Sequence, residues 1–384
     1  MAYLHFNHSQ AVNQHKPVVI IGGGLAGLAA ALLLADHHIA VTLIEKKSYP
    51  FHRVCGEYIS NEVLPFLRSI GADPAPLHPA AISRFMLSSP TGKIVETDLD
   101  LGGFGISRYT LDNYLYQLAL QRGVSFKLQT QVQDVTFQDD TFTLKLSDGE
   151  ELTAAVVLGA FGKRANLDRQ LHRKFFQNRS PYIGVKYHIR FKQPKDLIAL
   201  HNFKDGYAGI SAVEDDRYCF CYLTTRRNLR QHGSIPSMEK AILYQNPHLK
   251  QIFEEAEFLY EQPEVINEIS FATKTSIENH MLMCGDAAGM IAPLCGNGMA
   301  MAIHGGKIAA EHVVHYFSNG QNREILESNY ARAWNRQFKN RLTVGRTVQH
   351  LFGHPFLSEV AVSTLNKFPA GIRFIMKYTH GSPF

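Results

Sequence analysis

The sequence predicts an α/β fold in which a parallel sheet begins near the N-terminus, is interrupted by mostly antiparallel strands and is completed by helices at the C-terminus. Three observations predict it. First, the β-branched run Val18-Val19-Ile20-Ile21 ends in glycines and is followed by a small-residue helix over 25–34 and an apolar run over 41–44. That is a strand, tight turn, helix and strand, the opening of a doubly wound sheet. Second, alternating patterns fill 83–99, 125–135, 141–148 and 152–158, with turn pairs such as Asp139-Asp140 and Asp148-Gly149 between them. These suggest antiparallel strands inserted into the parallel unit. Third, from 298 to 378 almost every segment is compatible with helix.

The remaining elements follow in order. Strand-like sequence covers 185–189, 207–211 and 218–223, helical patterns follow at 237–245 and 249–259, and an apolar strand occupies 281–284. With no internal repeat and no low-complexity linker, the domains are expected to be interleaved rather than strung in series.

Composition excludes several classes. At 384 residues, 45% hydrophobic and 19% charged, the chain can bury a large core and is not disordered. The formal charge of +5 is dispersed, with pairs such as Lys46-Lys47 and Arg226-Arg227 but no basic patch interleaved with aromatics, so no nucleic-acid partner is expected. Residues 1–16 lack the apolar core of a secretory signal and read as a loose tail, so a cytoplasmic location is expected. Gly, Pro, Asn or charge interrupts every apolar run before it could span a bilayer, which leaves room only for a peripheral membrane contact. The cysteines at 55, 219, 221, 284 and 295 form no Cys-x-x-Cys pair and no zinc-like spacing, so no metal is expected and the thiols read as reduced. Cys219 and Cys221 share a strand face and read as small buried apolar residues.

Gly22-Gly23-Gly24-Leu25-Ala26-Gly27 fits G-x-G-x-x-G between a strand and a helix. Gly22 permits the tight turn, Gly24 lets the backbone approach a pyrophosphate, and Gly27 allows the helix to pack closely on the strand. The helix start at Leu25 and Ala26 offers free N–H groups and partial positive charge to phosphates. Glu45 ends the second strand, where an acid accepts from both ribose hydroxyls of an adenosine, and Lys46 follows it. An acid there repels a 2′-phosphate, so the site favours FAD or NAD over NADP.

Gly285-Asp286-Ala287-Ala288-Gly289, after the apolar strand, decides between the two. With the segment through 303 it resembles the second FAD signature of the p-hydroxybenzoate hydroxylase and geranylgeranyl reductase families, which implies that Asp286 binds the ribityl chain. The next turn, Pro293-Leu294-Cys295-Gly296-Asn297-Gly298-Met299, opens a helix whose N-terminus would stabilise the negative charge of reduced flavin. The resemblance covers most of 17–316. It implies that Arg108 reaches the FAD phosphates, that the Val132 backbone holds the adenine edge, and that Arg53 and Cys55, in Arg53-Val54-Cys55-Gly56-Glu57, lie beside the flavin as candidate catalytic residues. The fold implied is a split Rossmann-type FAD-binding domain (17–80, 105–170 and 270–318), an inserted mostly antiparallel β substrate domain (81–104 and 171–269) and a helical C-terminal region (319–384).

The sequence also departs from those families. Phe161, in Gly159-Ala160-Phe161-Gly162, stands where the hydroxylases carry an aspartate linked to pyridine-nucleotide handling, and no second G-x-G-x-x-G follows a strand. NAD(P)H is therefore expected only as a transient reductant. Neither the Trp-x-Trp-x-Ile-Pro segment of tryptophan halogenases nor the pocket tryptophan of archaeal-type reductases is present, the one tryptophan being Trp334. Of the histidines, His52 in the flavin loop and His188 on its strand stand out, and both read first as structural.

The expected function is redox chemistry on an apolar small molecule, either C=C reduction or dehydrogenation or else hydroxylation. The alternatives are a flavin-dependent halogenase, which needs a lysine between flavin and substrate, and a non-catalytic binder of prenylated or lipid-like partners. Tyr207, Gly209, Phe220 and Tyr222 are expected in the pocket wall, with alternation placing Tyr218, Phe220 and Tyr222 on one face and Cys219 and Cys221 on the other.

Overall fold

The computed structural model describes residues 17–177, 180–292, 296–351, 354–368, 371, 378 and 381–384. The segment 1–16, read as a tail, and Pro293, Leu294 and Cys295 lie outside the described residues. β1 (Val18–Ile21), α1 (Leu25–Asp36) and β2 (Val41–Glu45) form in the order the sequence predicts. β1 is wholly buried because it sits between two parallel neighbours, with β2 paired from Val18↔Val41 to Ile21↔Ile44. Beyond them run β3 (Tyr58–Ser60), α2 (Leu64–Ser69), the hairpin of β4 (Ala80–Ser88) and β5 (Ile94–Gly105), and α3 (Arg108–Gln121). Ser107 caps α3 by accepting from the Thr110 N–H.

β6 (Ser125–Leu128), β7 (Val132–Gln138), β8 (Thr141–Leu146), β9 (Glu151–Ala154) and β10 (Val156–Gly159) divide between two sheets. The alternating runs at 125–135 and 152–158 were expected in one antiparallel insertion. Instead β6 joins β2 and β10 joins β1, both in parallel, and only β7, β8 and β9 form an antiparallel meander. β10 is buried along its length, and a short apolar strand buried on both faces belongs to a parallel sheet rather than an exposed meander.

After α4 (Asn166–Gln170) come β11 (Tyr182–Arg190), β12 (Leu197–Phe203), β13 (Gly206–Ala212) and β14 (Tyr218–Thr225). β12 carries no clear period-two pattern and was not foreseen; it is buried throughout, so neither face needs polar residues. α5 (Arg226–His232), α6 (Ile235–Ile242) and α7 (Pro247–Glu255) follow, then β15 (Glu257–Phe258) and β16 (Glu264–Asn267). The second helical pattern ends four residues early, since Phe258 pairs with Ile189 of β11. β17 (Ile277–Glu278) and β18 (Met281–Met283) return to the parallel sheet beside β10, and α8 (Gly298–Ser318), α9 (Arg323–Leu351) and α10 (Pro355–Lys367) follow.

The parallel sheet has the order β17-β18-β10-β1-β2-β6, and the larger sheet runs β15-β11-β14-β13-β12-β4-β5-β3, with β16 on β11. The hairpin of β4 and β5 thus joins strands more than ninety residues later in the chain through the parallel pair Leu197↔Arg84 to His201↔Ser88. α1 and α8 lie against each other through small residues. A Cβ on Gly306 would sit 2.3 Å from the Ala26 carbonyl oxygen, so only glycine allows this approach. The contact brings the N-termini of both helices to the same place.

Candidate active site

A cavity of about 920 Å³ opens where the carboxyl ends of β1, β2 and β10 meet the two helix N-termini. Strands β2 and β10 leave β1 in opposite directions there, so the loops part and leave a crevice. Of the residues expected from sequence, Gly22, Gly24, Leu25, Ala26, Glu45, Lys46, Arg53, Cys55, Arg108, Val132, Gly285, Asp286, Gly296, Gly298 and Met299 line it. Gly27 and Asn297 do not. Gly27 packs α1 on the sheet, since a Cβ there would lie 2.1 Å from the Gly22 carbonyl oxygen, and Asn297 is buried as the N-cap of α8.

At one end, Glu45 is buried and accepts from the Gly23 N–H at 2.9 Å and the Lys47 N–H at 3.2 Å. Arg53 reaches Glu45 at 3.2 Å and Asp112 at 3.1 Å, and Arg108 holds Asp112 with two hydrogen bonds of 2.6 and 2.7 Å. Burial works against the Arg108 charge, but Asp112 outweighs it and keeps the guanidinium fully protonated. A Cβ on Gly24 would meet nothing nearer than Arg108 Nη2 at 3.8 Å. The turn before α1 therefore presents bare backbone and a fixed cation to the cavity, a cradle for pyrophosphate.

At the other end, the carbonyl oxygen of Asp286 accepts from Lys274 Nζ at 2.7 Å, and the same ammonium donates to the Lys163 carbonyl at 2.7 Å. Burial lowers Lys274 to about 8, with Asp286 opposing the shift, and burial lowers Lys163 as well. Neither lysine was foreseen, because a single lysine in a loop carries no periodic signal. Phe161 lines the cavity beside Gly22.

The Cys55 loop is anchored by an acid the sequence reading passed over. Glu57 is fully buried, with φ of 55°, in the left-handed region. Its carboxylate accepts from the Arg108 N–H at 2.8 Å, pairs with His188 Nε2 at 2.6 Å and binds Lys186 Nζ, which also donates to the Arg53 carbonyl at 3.2 Å. Burial alone would raise the Glu57 pKa, but Lys186 and the His188 hydrogen bond bring it down to about 2. Lys186 and His188 lie two apart and buried on β11, a pattern that marks a polar pair sharing one face. The Cys219 sulfur lies close enough to Glu57 and His188 to suggest a three-ligand metal group. Lys186 already ion-pairs with that carboxylate and burial pushes the Cys219 thiol well up, so the cluster is an ion-pair network. Cys55 is likewise held as a neutral thiol by burial, against the pull of Arg108. His52 lines the cavity and stacks on Tyr109 at 4.7 Å.

The larger sheet closes the cavity with Tyr207, Gly209, Ser211, Cys221 and Leu223. Phe220 is a correction. It is fully buried on the opposite face, among Met238, Ile242, Leu249 and Ile252 beneath α6 and α7, because alternation turns it away from Cys221. Tyr222 is part of the wall, but its hydroxyl donates to Glu239 on that far side. Cys221 is also not core, since its sulfur would lie 3.7 Å from a Cβ on Gly56 in the Cys55 loop. Leu87, Leu200, Tyr207, Leu223, Ile269 and Met290 form an apolar arm of the cavity away from the glycine turn. Among the described residues Cys55, Cys219, Cys221 and Cys284 are free thiols, and no helix is long and apolar enough to cross a membrane.

Known proteins share this architecture. Over 409 residues the chain is 25% identical to conditioned medium factor receptor 1 of Dictyostelium discoideum, covering 94% of this chain and 75% of that one. It is 24% identical over 367 residues to digeranylgeranylglycerophospholipid reductase 1 of Methanopyrus kandleri, covering 89% and 92%. The solved structure of CmlS, a flavin-dependent halogenase, superposes with a TM-score of 0.77 at 21% identity over 97% of this chain and 74% of that one, which establishes the shared fold. The FAD binding domain family matches residues 15–333. With that match spanning most of the chain and a site whose bare glycine turn and buried cations suit a dinucleotide phosphate, the chain belongs to the FAD binding domain family and its cofactor is FAD.

Proposed function

We propose that this FAD-dependent oxidoreductase acts on a carbon–carbon double bond in an apolar, isoprenoid-like substrate. The observation that carries the reading is the apolar arm: its walls are aliphatic and aromatic, and it opens beside the Cys55 loop. Small-molecule sites of this kind bind by contact area and keep few polar groups for orientation. The name of the Methanopyrus relative, a reductase of digeranylgeranylglycerophospholipid, supports the same substrate class. Hydroxylation is the second reading, because the same cavity suits either reaction. Halogenation is less favoured. The lining lysines among the described residues, Lys46, Lys47 and Lys163, follow β2 and β10 of the parallel sheet, and none lies in the apolar arm.

In this reading the glycine turn, α1 and Arg108 bind the pyrophosphate, Glu45 the adenosine ribose, the Val132 backbone the adenine edge, Asp286 the ribityl chain, and Gly296 to Met299 the pyrimidine edge. The segments 17–80, 105–170 and 270–318 make up the FAD domain, 81–104 and 171–269 the substrate domain, and 319–384 the helical C-terminal region. Bound FAD supplies hydride transfer or oxygen activation. The chain contributes orientation and exclusion of water: Glu57 fixes the loop that carries Arg53 and Cys55, and the apolar arm holds the substrate dry.

The test is anaerobic. NADPH or NADH alone should reduce the flavin slowly, since Phe161 offers no carboxylate to a nicotinamide nucleotide and a resident second nucleotide motif is missing from the sequence. Dithionite-reduced protein given an isoprenoid alcohol should recover the oxidised flavin spectrum and release a product two hydrogens heavier. Rapid bleaching by either nucleotide alone would remove the Phe161 argument. Reoxidation only in air, with an added oxygen in the product, would favour hydroxylation.

A further inference from the structure

The loop that follows β10 carries a lysine whose backbone is fixed and whose side chain is not. The Ala160 N–H donates to the Ile21 carbonyl at 2.8 Å, and a Cβ on Gly22 would sit 2.8 Å from the Phe161 Cα, so the loop begins against the glycine turn. Gly162, with φ of 86°, then turns the chain. Further on, Arg164 pairs with Glu268 at 2.8 Å and the Ala165 N–H is held by the Asp168 carboxylate at 2.7 Å. Lys163 lies between these anchors, and its own carbonyl accepts from Lys274 Nζ at 2.7 Å. Its backbone is set before any ligand arrives.

Lys163 lines the cavity, and among the described residues its ammonium makes no hydrogen bond and reaches no carboxylate at ion-pairing distance. The acids of the glycine-turn end are already occupied, Glu45 by Arg53 and Asp112 by Arg53 and Arg108. Burial lowers the Lys163 pKa from 10.5, Asp286 and Cys55 oppose the shift, and Arg108 and Arg53 add to it. A part-buried cation that two arginines repel is stabilised by an anion set among all three, and the bare N–H groups of the adjoining turn suit a diphosphate.

We propose that Lys163 is an additional cation of the pyrophosphate cradle, pairing with the FAD diphosphate beside Arg108 and the start of α1. The proposal rests on the reading of the glycine turn and Arg108 as that cradle. It has a consequence for protons. The diphosphate favours the ammonium over the amine, so wherever part of the Lys163 population is neutral, Lys163 takes up a proton from solvent as FAD enters, and FAD affinity falls as pH rises. The charged and titratable groups that face it are Asp286, Cys55, Arg108 and Arg53. Lys274, lowered to about 8, responds in the same direction, so the share of Lys163 is read by difference.

Titration of the full-length protein, stripped of flavin, with ADP and with riboflavin separates the diphosphate from the ring. Lys163→Met should weaken ADP and FAD by about ten- to a hundredfold, the worth of one charge-assisted hydrogen bond, and leave riboflavin binding and the circular dichroism unchanged. Lys163→Arg keeps the cation and should retain most of the ADP affinity. Calorimetric titration with ADP in mildly alkaline buffers of different ionisation enthalpy, where the phosphates are fully ionised, should show proton uptake in the wild type and less in Lys163→Met, the remainder belonging to Lys274. The proposal is overturned if Lys163→Met binds ADP as tightly as the wild type, if it weakens riboflavin to the same degree, or if its proton uptake is undiminished. Each of these results, with ADP bound by the wild type, removes Lys163 alone. A wild type that does not bind ADP removes the cradle reading together with the proposal.

Discussion

Glu45→Arg is expected to purify nearly colourless. The carboxylate sits at the end of β2, 5% exposed, where Gly23 and Lys47 N–H groups already hold it in place, so it is oriented before any ligand arrives. Removing two charge-assisted hydrogen bonds to a ribose costs on the order of 2 to 4 kcal/mol, which is about thirty- to a thousandfold in Kd. The substitution also places a second guanidinium against Arg53, whose own contact to Glu45 is lost. Glu45→Gln keeps the size and part of the hydrogen bonding and should retain more flavin. Flavin content per protein, with circular dichroism to establish that the sheet has formed, provides the measurement. Unchanged flavin content in Glu45→Arg would remove Glu45 from the ribose.

The second large effect concerns stability. Glu57→Ala leaves the Lys186 ammonium, 2% exposed, without its counter-charge and takes acceptors from His188 and the Arg108 N–H. Breaking one member of a buried ion pair costs about 3 to 5 kcal/mol, since the surviving charge stays desolvated. Adding Lys186→Met removes that stranded charge and should recover much of the loss. The pH dependence has a definite sign. Glu57 is lowered in the folded protein from 4.5 to about 2, so its contribution is fully present above 4.5 and is lost as pH falls through 2. Urea unfolding at a series of pH values should show the wild type losing stability over that window more steeply than Glu57→Ala. Parallel curves would mean that Glu57 is not ionised in the fold.

The parallel sheet was legible because its signals are local. A β-branched run, a glycine turn, a small-residue helix and an acid at the next strand end lie within thirty residues, and each has one structural meaning. Most of the residues expected at the cofactor site line the cavity for the same reason; Gly27, which packs α1 on the sheet, and Asn297, buried at the start of α8, do not. The larger sheet was harder to read, because β12 is buried on both faces and so lacks alternation, and because β4 finds its second partner only in the distant strand β12. Periodicity separated Phe220 from Cys221 correctly but could not say which face met the cavity; α6 and α7 decide it by covering the aromatic side. Glu57, Lys163 and Lys274 were missed because the signal of a buried charge is its partner, and the partners lie far off in sequence: Lys186 and His188 for Glu57, and the Lys163 and Asp286 carbonyls for Lys274.

The central claim is that FAD lies beside a dry pocket that takes an apolar chain, and equilibrium titration of the oxidised holoprotein with an isoprenoid alcohol tests it most directly. The wild type should give a saturable perturbation of the flavin absorption bands, as an apolar neighbour displaces water from the ring. Leu200→Glu, which places a charge in the apolar arm, should abolish that perturbation while FAD content and the far-ultraviolet circular dichroism stay unchanged. A flavin spectrum indifferent to isoprenoids of every chain length, or a response undiminished in Leu200→Glu, would contradict the account.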